Sequence, residues 1–260
     1  MTTRNTKTDG TRTYTVPDPH DSDCSCRWKR DEHGNLVLDS VTSILRIVNK
    51  PALPYWAANK VADYALDNIS EIQKLLAKDD RDGAYRLLKG APWSKRDKAA
   101  DVGTTVHDVI EKMILDKAAV VDVPTRIAPY ITAFHDFLKS YEGAFDASEM
   151  TVFNTTHGYA GTLDALWKTP EGKVGALDWK TRQGKKVAQT SAYETERLQV
   201  SAYVHAEWAE IDGEVVPMPP IAGGSIVMLC EDGYAVDKVS GTDWEGFIAA
   251  KRLFDWREGL

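Results

Sequence analysis

The sequence predicts an α/β fold, a central mixed sheet flanked by helices with a helical N-terminal portion. Three observations carry that expectation. Apolar residues recur at three- and four-residue intervals through the first half of the chain, the spacing turns to alternation after Met150, and beyond Ser191 helical and alternating stretches interleave. A chain of 260 residues, 43% of them hydrophobic, can bury a substantial core as one large domain or two small ones.

The elements follow in order. Residues 1–38 are polar, carry Pro17 and Pro19, and read as a loosely ordered arm. From Ser40, the residues Val41, Ile44, Leu45 and Val48 have helical spacing that stops at Pro51. A second helical pattern holds Trp56, Val61, Tyr64, Ile69, Ile72, Leu75 and Leu76 and ends before the break from Asp79 to Gly83. A third starts after Ser94 and runs to about Asp116, on Ala99, Val102, Val106, Ile110 and Met113. Gly103 interrupts it; an interior glycine costs roughly 1 kcal/mol against alanine, so a kink or a close backbone approach is expected there. A fourth carries Tyr130, Ile131, Phe134, Leu138 and Tyr141.

After Met150 come a strand through Val152 and Phe153, then GTLDALWK, a TPEGK turn and VGALDWKT, which together make a hairpin. Ser191 and Glu194 have the spacing of a capping box for a helix through Leu198, Ala202, Ala206 and Ala209. GGSIVMLC and YAVDKV form a second hairpin, and Thr242 with Glu245 caps a last helix holding Trp244, Ile248 and Phe254. The expected organisation is an arm over 1–38, a helical portion over 39–100 packed on the core, and a core over 101–260.

Composition excludes several classes of function. With 32 basic against 39 acidic residues the net charge is −7, which argues against coating nucleic acid by bulk charge but leaves room for a local basic groove. No apolar run is long enough for a bilayer or a secretory signal, so a cytoplasmic protein without membrane contact is expected. Three cysteines, Cys24, Cys26 and Cys230, give no disulfide framework and fall short of the four thiolates an iron–sulfur cluster needs. A zinc site from Cys24, Cys26, His20 and His33 would depart from the usual knuckle spacing.

Chemistry concentrates in the first hairpin. Alternation puts Asp178 and Lys180 on one face of their strand and Leu177 and Trp179 on the other. Asp164 interrupts an apolar run on the neighbouring strand, where the register would set it beside Asp178. Two such carboxylates suit a hard divalent cation, with Lys180 placed to orient water and stabilise charge on a phosphate, the parts that phosphodiester hydrolysis requires. A surface salt bridge between Lys180 and either aspartate is the plainer alternative. By spacing, His107 shares a helix face with Ile110 and Ile114 and reads as a core histidine; Gln199 and Tyr203, four apart on a helix, point the same way, with packing against the sheet as the default for Tyr203.

The ordered set GTTVH (103–107), GYAGTLD (158–164), LDWKT (177–181) and Gln199 with Tyr203 resembles the RecB-like branch of the PD-(D/E)xK nuclease superfamily. The resemblance covers roughly residues 100–210, and the opening segment VTSILRIVNKPALPYWAA is similar to the helical start of phage-borne exonucleases of this branch. It implies a restriction-endonuclease-like core holding Mg²⁺, with Mn²⁺ expected to substitute and no iron–sulfur cluster. Asp164, Asp178, the Trp179 carbonyl and His107 match its metal ligands, Lys180 its lysine of catalysis, Gln199 and Tyr203 its Gln-x-x-x-Tyr pair, and Glu149 the place of an auxiliary acid before the first strand, with an exposed loop carboxylate as the alternative for Glu149.

The implied activity is DNA hydrolysis, more exonucleolytic than sequence-specific, at DNA ends in recombination, repair or phage replication, with a recombinase or annealing protein as a partner. A DNA-binding module without turnover and a nuclease acting on RNA are the rivals. Lys95, Arg96 and Lys98 on one side, and Arg182, Lys185 and Lys186 on the other, are candidates for phosphate contact, or simply solvated faces. Trp93 and Trp179 stack bases if exposed and pack in a core if not.

Overall fold

The computed structural model describes residues 2–8, 10–20, 28–116, 122–211 and 213–259, with the side chains of 95–99 outside the description. Cys24 and Cys26, and with them the zinc expectation, lie outside the described residues. The chain divides into two compact units, one of Met1–Val48 with Val106–Leu260, the other Asn49–Thr105.

The first unit is built on one mixed sheet of ten strands: β1 (Thr3–Thr6), β2 (Arg12–Val16), β3 (Leu36–Ser40), β4 (Ala144–Asn154), β5 (Tyr159–Lys168), β6 (Val174–Thr181), β7 (Trp208–Ile211), β8 (Glu214–Pro217), β9 (Ile221–Cys230) and β10 (Gly233–Lys238). Strands run in the order β1-β2-β3-β5-β4-β7-β8, with β6 joining β5 to β9 and β10 beyond it. The β3–β5 and β6–β9 pairs are parallel and the other pairs antiparallel.

Three strands thus replace the expected N-terminal arm. The signal is a short alternation in β2 and β3: Tyr14 and Val16, then Leu36 and Leu38, are buried while Thr15, Val37 and Asp39 between and after them are half-buried, so the segment gains a core face that its polar composition conceals. Gly158, at φ +70, turns the chain into β5 against Trp28; a Cβ there would lie 2.4 Å from the indole, so the close approach needs glycine.

The segment after Ser40 forms only one short helix, α1 (Val41–Ile44), and a 3-10 turn (Leu45–Ile47). In the second unit the expected second helix is two, α2 (Ala52–Asp67) and α3 (Ile69–Ala77). The third starts earlier than expected: α4 spans Arg81–Asp116, and its residues from Val106 onward belong to the first unit. Gly103 leaves α4 unbroken and meets nothing within 4 Å, so the expected close approach is absent. The compact units thus break after Val48 and after Thr105, with residues 1–48 in the same unit as 106–260.

Two layers of helix cover the sheet of the first unit. From α5 (Ala128–Ser140), Phe134 and Phe137 stack edge-on against Trp179, at 5.3 and 5.7 Å between ring centroids. Opposite faces of β6 separate Trp179 from Asp178 and Lys180, and the latter meet α6 (Glu194–Val204). There Leu198, Ala202 and Tyr203 join Tyr159, Leu163, Leu166 and Phe247 in one core cluster.

Both helix starts differ from expectation by a few residues. Glu196, not Glu194, closes the first turn of α6 by accepting the Tyr193 N–H at 2.8 Å, and Asp243 caps α7 (Gly241–Glu258) from the Ser240 N–H at 2.7 Å. The helix with Leu198 ends at Val204, and Ala209 lies in β7. Among the described residues no helix is long and apolar enough to cross a membrane.

Candidate active site

The site lies where the sheet forks. On one edge, β5 pairs with β3 through Tyr159 and Ala160, then with β6 only from Ala165 to Lys168. The residues between, Gly161 to Asp164, face a gap. Ala165 stands opposite Leu177, so one step further in the same register Asp164 stands opposite Asp178. There the ladder gives way to a side chain: Asp164 Oδ2 accepts the Trp179 N–H at 2.8 Å.

Across the other edge, Ser148 and Met150 of β4 pair with Ala165 and Leu163. Between them Glu149 has φ +49, a left-handed conformation that costs a non-glycine residue about 1 to 3 kcal/mol. The alternation of both strands slips at this point. Ala147 and Met150 pack on one core cluster, as do Leu163 and Leu166, although strict alternation would put residues three apart on opposite faces. The slip turns the Glu149 and Asp164 side chains away from that cluster, Asp164 still buried and Glu149 exposed, and it makes Glu149 a strand residue rather than a loop acid.

His107 approaches from α4. Its Nε2 lies 2.9 Å from the Trp179 carbonyl oxygen, which can only accept, so Nε2 carries the proton. Nδ1 then presents a lone pair, 3.6 Å from Asp164 Oδ2. Two acceptors facing one another at that separation call for a proton or a cation between them. Ligand atoms of His107, Glu149 and Asp164 all lie within 4.8 Å of one another, and no other such group occurs among the described residues. Burial, the largest cause, pushes the Glu149 carboxyl up to about 7, and the neighbouring acids, Asp164 first among them, add to the rise.

Asp178 is fully buried and stands apart from that trio, in an ion pair with Lys180. Burial pushes its carboxyl up to about 6, the Lys180 ammonium pulls it down, and Asp164 adds to the rise. For Lys180, burial would favour the neutral amine, but Asp178 and Asp164 outweigh it and hold the ammonium above its ordinary range. Gln199 Nε2 spans Asp178 Oδ1 at 3.4 Å and the Tyr203 hydroxyl at 3.0 Å. Tyr203 in turn lies against Gly161, where a Cβ would come within 2.5 Å of the ring.

His107, Asp164, Asp178, Lys180, Gln199 and Tyr203 thus converge at the fork. The Trp179 carbonyl accepts from His107, and it is Glu149 that lies with His107 and Asp164 in the donor group while Asp178 pairs with Lys180. Arg182 is no phosphate contact: its side chain is 6% exposed and both its terminal nitrogens donate to Glu196. Lys185 and Lys186 are exposed, Lys185 donating to the Tyr193 hydroxyl at 2.8 Å. The Lys95, Arg96 and Lys98 side chains lie outside the described residues. Trp179 is buried and unavailable for stacking, whereas Trp93 is 53% exposed.

Glu149, Arg182 and Glu196 carry only weak local signals in the sequence. An acid next to an alternating run (SEMTVF) and the Arg182 that continues the Asp178, Lys180 face were the available signals. Comparison with models of known protein families finds no match, and comparison with curated proteins finds no relative.

Proposed function

We propose that the chain is a divalent-cation-dependent nuclease of the RecB-like PD-(D/E)xK type that hydrolyses DNA, with exonucleolytic processing of ends as its mode. One observation carries the reading: two carboxylates and an imidazole nitrogen gather within 4.8 Å, beside an ion-paired lysine, at a break in the sheet. The donor set fits a hard ion, since the oxygens suit Mg²⁺ or Mn²⁺ and the Nε2 proton is already spent on a backbone carbonyl, which orients Nδ1 inward. Without such an ion the site is a concentration of acids whose carboxyls are driven upward by burial and by one another.

His107, Glu149 and Asp164 would hold the cation, which supplies positive charge to acidify a water and offset charge on the scissile phosphate. The chain's own groups do the rest. Asp178 keeps Lys180 charged and fixes its amine; the Lys180 side chain is 22% exposed, which leaves room for it to donate to the attacking water and to a phosphate oxygen. Gln199 holds the Asp178 carboxylate from the far side, and Tyr203 holds Gln199. Trp179 locks His107 in one tautomer. Substrate phosphates would meet Lys185 and Lys186, the exposed cations that follow β6.

The test is incubation of purified protein with end-labelled single- and double-stranded DNA and RNA, with Mg²⁺, Mn²⁺ or EDTA. Metal-dependent release of mononucleotides from DNA, abolished in Lys180→Ala, is the expected result. Binding without product would favour a module without turnover, cleavage of RNA alone would favour a ribonuclease, and activity surviving Lys180→Ala would overturn the assignment of the site.

A further inference from the structure

Arg182 and Glu196 form a buried polar pair on the two surfaces that carry the site. Asp178, Lys180 and Arg182 alternate onto the face of β6 that meets α6, and Glu196, Gln199 and Tyr203 follow one another along α6 at three- and four-residue steps. Arg182 Nη1 donates to Glu196 Oε1 at 3.0 Å and Nη2 to Oε2 at 2.5 Å. Nη2 also reaches the Ser191 carbonyl at 3.4 Å, and the guanidinium carbon lies 4.4 Å from the centroid of the Tyr193 ring. Glu196 Oε2 accepts the Tyr193 N–H as well, so one carboxylate joins the end of β6 to the first turn of α6.

A buried ion pair is a weak source of net stability, because desolvating both charges consumes most of their attraction; an apolar pair would hold the helix as well. A bidentate guanidinium does two things that an apolar pair does not. It fixes one register of the helix along the strand, since both nitrogens must meet both oxygens. It also occupies every oxygen of an acid whose charge reaches Lys180, the residue two before it on the same face.

We propose that Arg182 is a positioning residue: by engaging both oxygens of Glu196 it keeps that acid from drawing Lys180 off Asp178. Its effect on turnover rests on the nuclease reading above. Losing Arg182 alone frees a competing carboxylate, whereas losing both partners removes the competitor with the clip. The single variant is therefore the more damaging one.

Steady-state cleavage by wild type, Arg182→Met, Glu196→Met and the double variant, well below the lowest melting temperature, tests this. Arg182→Met lowers kcat roughly tenfold or more with KM changed less than about twofold, and the double variant recovers most of the loss. A role in stability alone would move the melting temperature and leave kcat at low temperature unchanged. A double variant no faster than Arg182→Met, or wild-type kcat in Arg182→Met, overturns the proposal. Arg182→Lys, which keeps charge but not the fork, gives an intermediate kcat and serves if Arg182→Met does not fold.

A second readout needs no DNA. Acetic anhydride labelling of Lys180, followed by mass spectrometry against exposed Lys173, changes several-fold in Arg182→Met and returns in the double variant. If wild type cuts nothing with either metal, the nuclease reading falls and the labelling alone decides: an unchanged Lys180 rate in Arg182→Met then rules out the positioning role too.

Discussion

Gly161→Ala places one methyl group where the site leaves no room for it. Its carbon would lie 2.5 Å from Tyr203 Cε1, 3.0 Å from the hydroxyl oxygen and 3.1 Å from Cζ. Carbon atoms settle at about 3.5 to 4.0 Å, so the ring must withdraw by about 1 Å. It has nowhere to go, being 2% exposed and packed within a core cluster. Overpacking of this kind costs about 1 to 3 kcal/mol, and breaking the Gln199 bond to the Tyr203 hydroxyl adds about 1 kcal/mol. The sum is about 2 to 4 kcal/mol.

Backbone strain does not enter, because Gly161 has no positive φ. Urea unfolding followed by far-UV circular dichroism reads the loss as a midpoint lowered by about 1 M, on the slope usual for small proteins. Gly175→Ala is the control, since its nearest neighbours stand at 3.5 and 3.9 Å and a methyl group fits. A Gly161→Ala midpoint equal to wild type, or an equal loss in Gly175→Ala, would refute the argument that Tyr203 is seated by the missing side chain.

Other perturbations separate stability from function. Glu149→Gly relieves the left-handed backbone and raises stability by about 1 kcal/mol while abolishing thermal stabilisation by Mn²⁺; melting curves with and without the ion read both, and a less stable variant would deny that strain is held there. Asp164→Asn keeps an acceptor for the Trp179 N–H but loses the charge, so its melting temperature is insensitive to Mn²⁺; an undiminished shift would remove Asp164 from the cation site.

Lys251→Met strips Asp255 and Asp39 of the buried ammonium that pairs with them and lies 4.9 Å from the Trp28 ring centroid, and costs about 3 to 5 kcal/mol at neutral pH by denaturant unfolding; a loss under 1 kcal/mol would mean that the cluster is not closed to water. For Glu207, partial burial would raise the carboxyl, but hydrogen bonds from Thr156 and Thr155 hold it below its ordinary 4.5. A depressed carboxyl contributes stability that is full above 4.5 and is lost as pH falls through the folded value. Urea midpoints of Glu207→Gln should therefore decline less than wild type between neutral and acid pH, and parallel slopes would count against the assignment.

The hairpin was legible because its information is local. Alternation, the TPEGK turn and one register place Asp164 across from Asp178, and the same alternation puts Lys180 beside Asp178. Helical spacing alone likewise brings Gln199 and Tyr203 to one side of α6. The N-terminal strands were obscured because two- and three-residue buried patterns sit inside polar segments, too short to outweigh their surroundings. The helix starts slipped because Ser191 and Thr242 offered capping chemistry that the backbone did not use.

Sequence by itself determined which strands pair within the hairpin, which side chains share a face and where charge interrupts an apolar run, since each depends on neighbours a few residues away. Tertiary structure alone decided that Glu149 joins His107 and Asp164, that the Trp179 carbonyl serves His107, and that Arg182 turns inward to Glu196. Those outcomes join residues from separate elements, and they follow from where β4, α4 and α6 meet the forked sheet: a backbone slip or a buried partner arises from packing that no local pattern encodes.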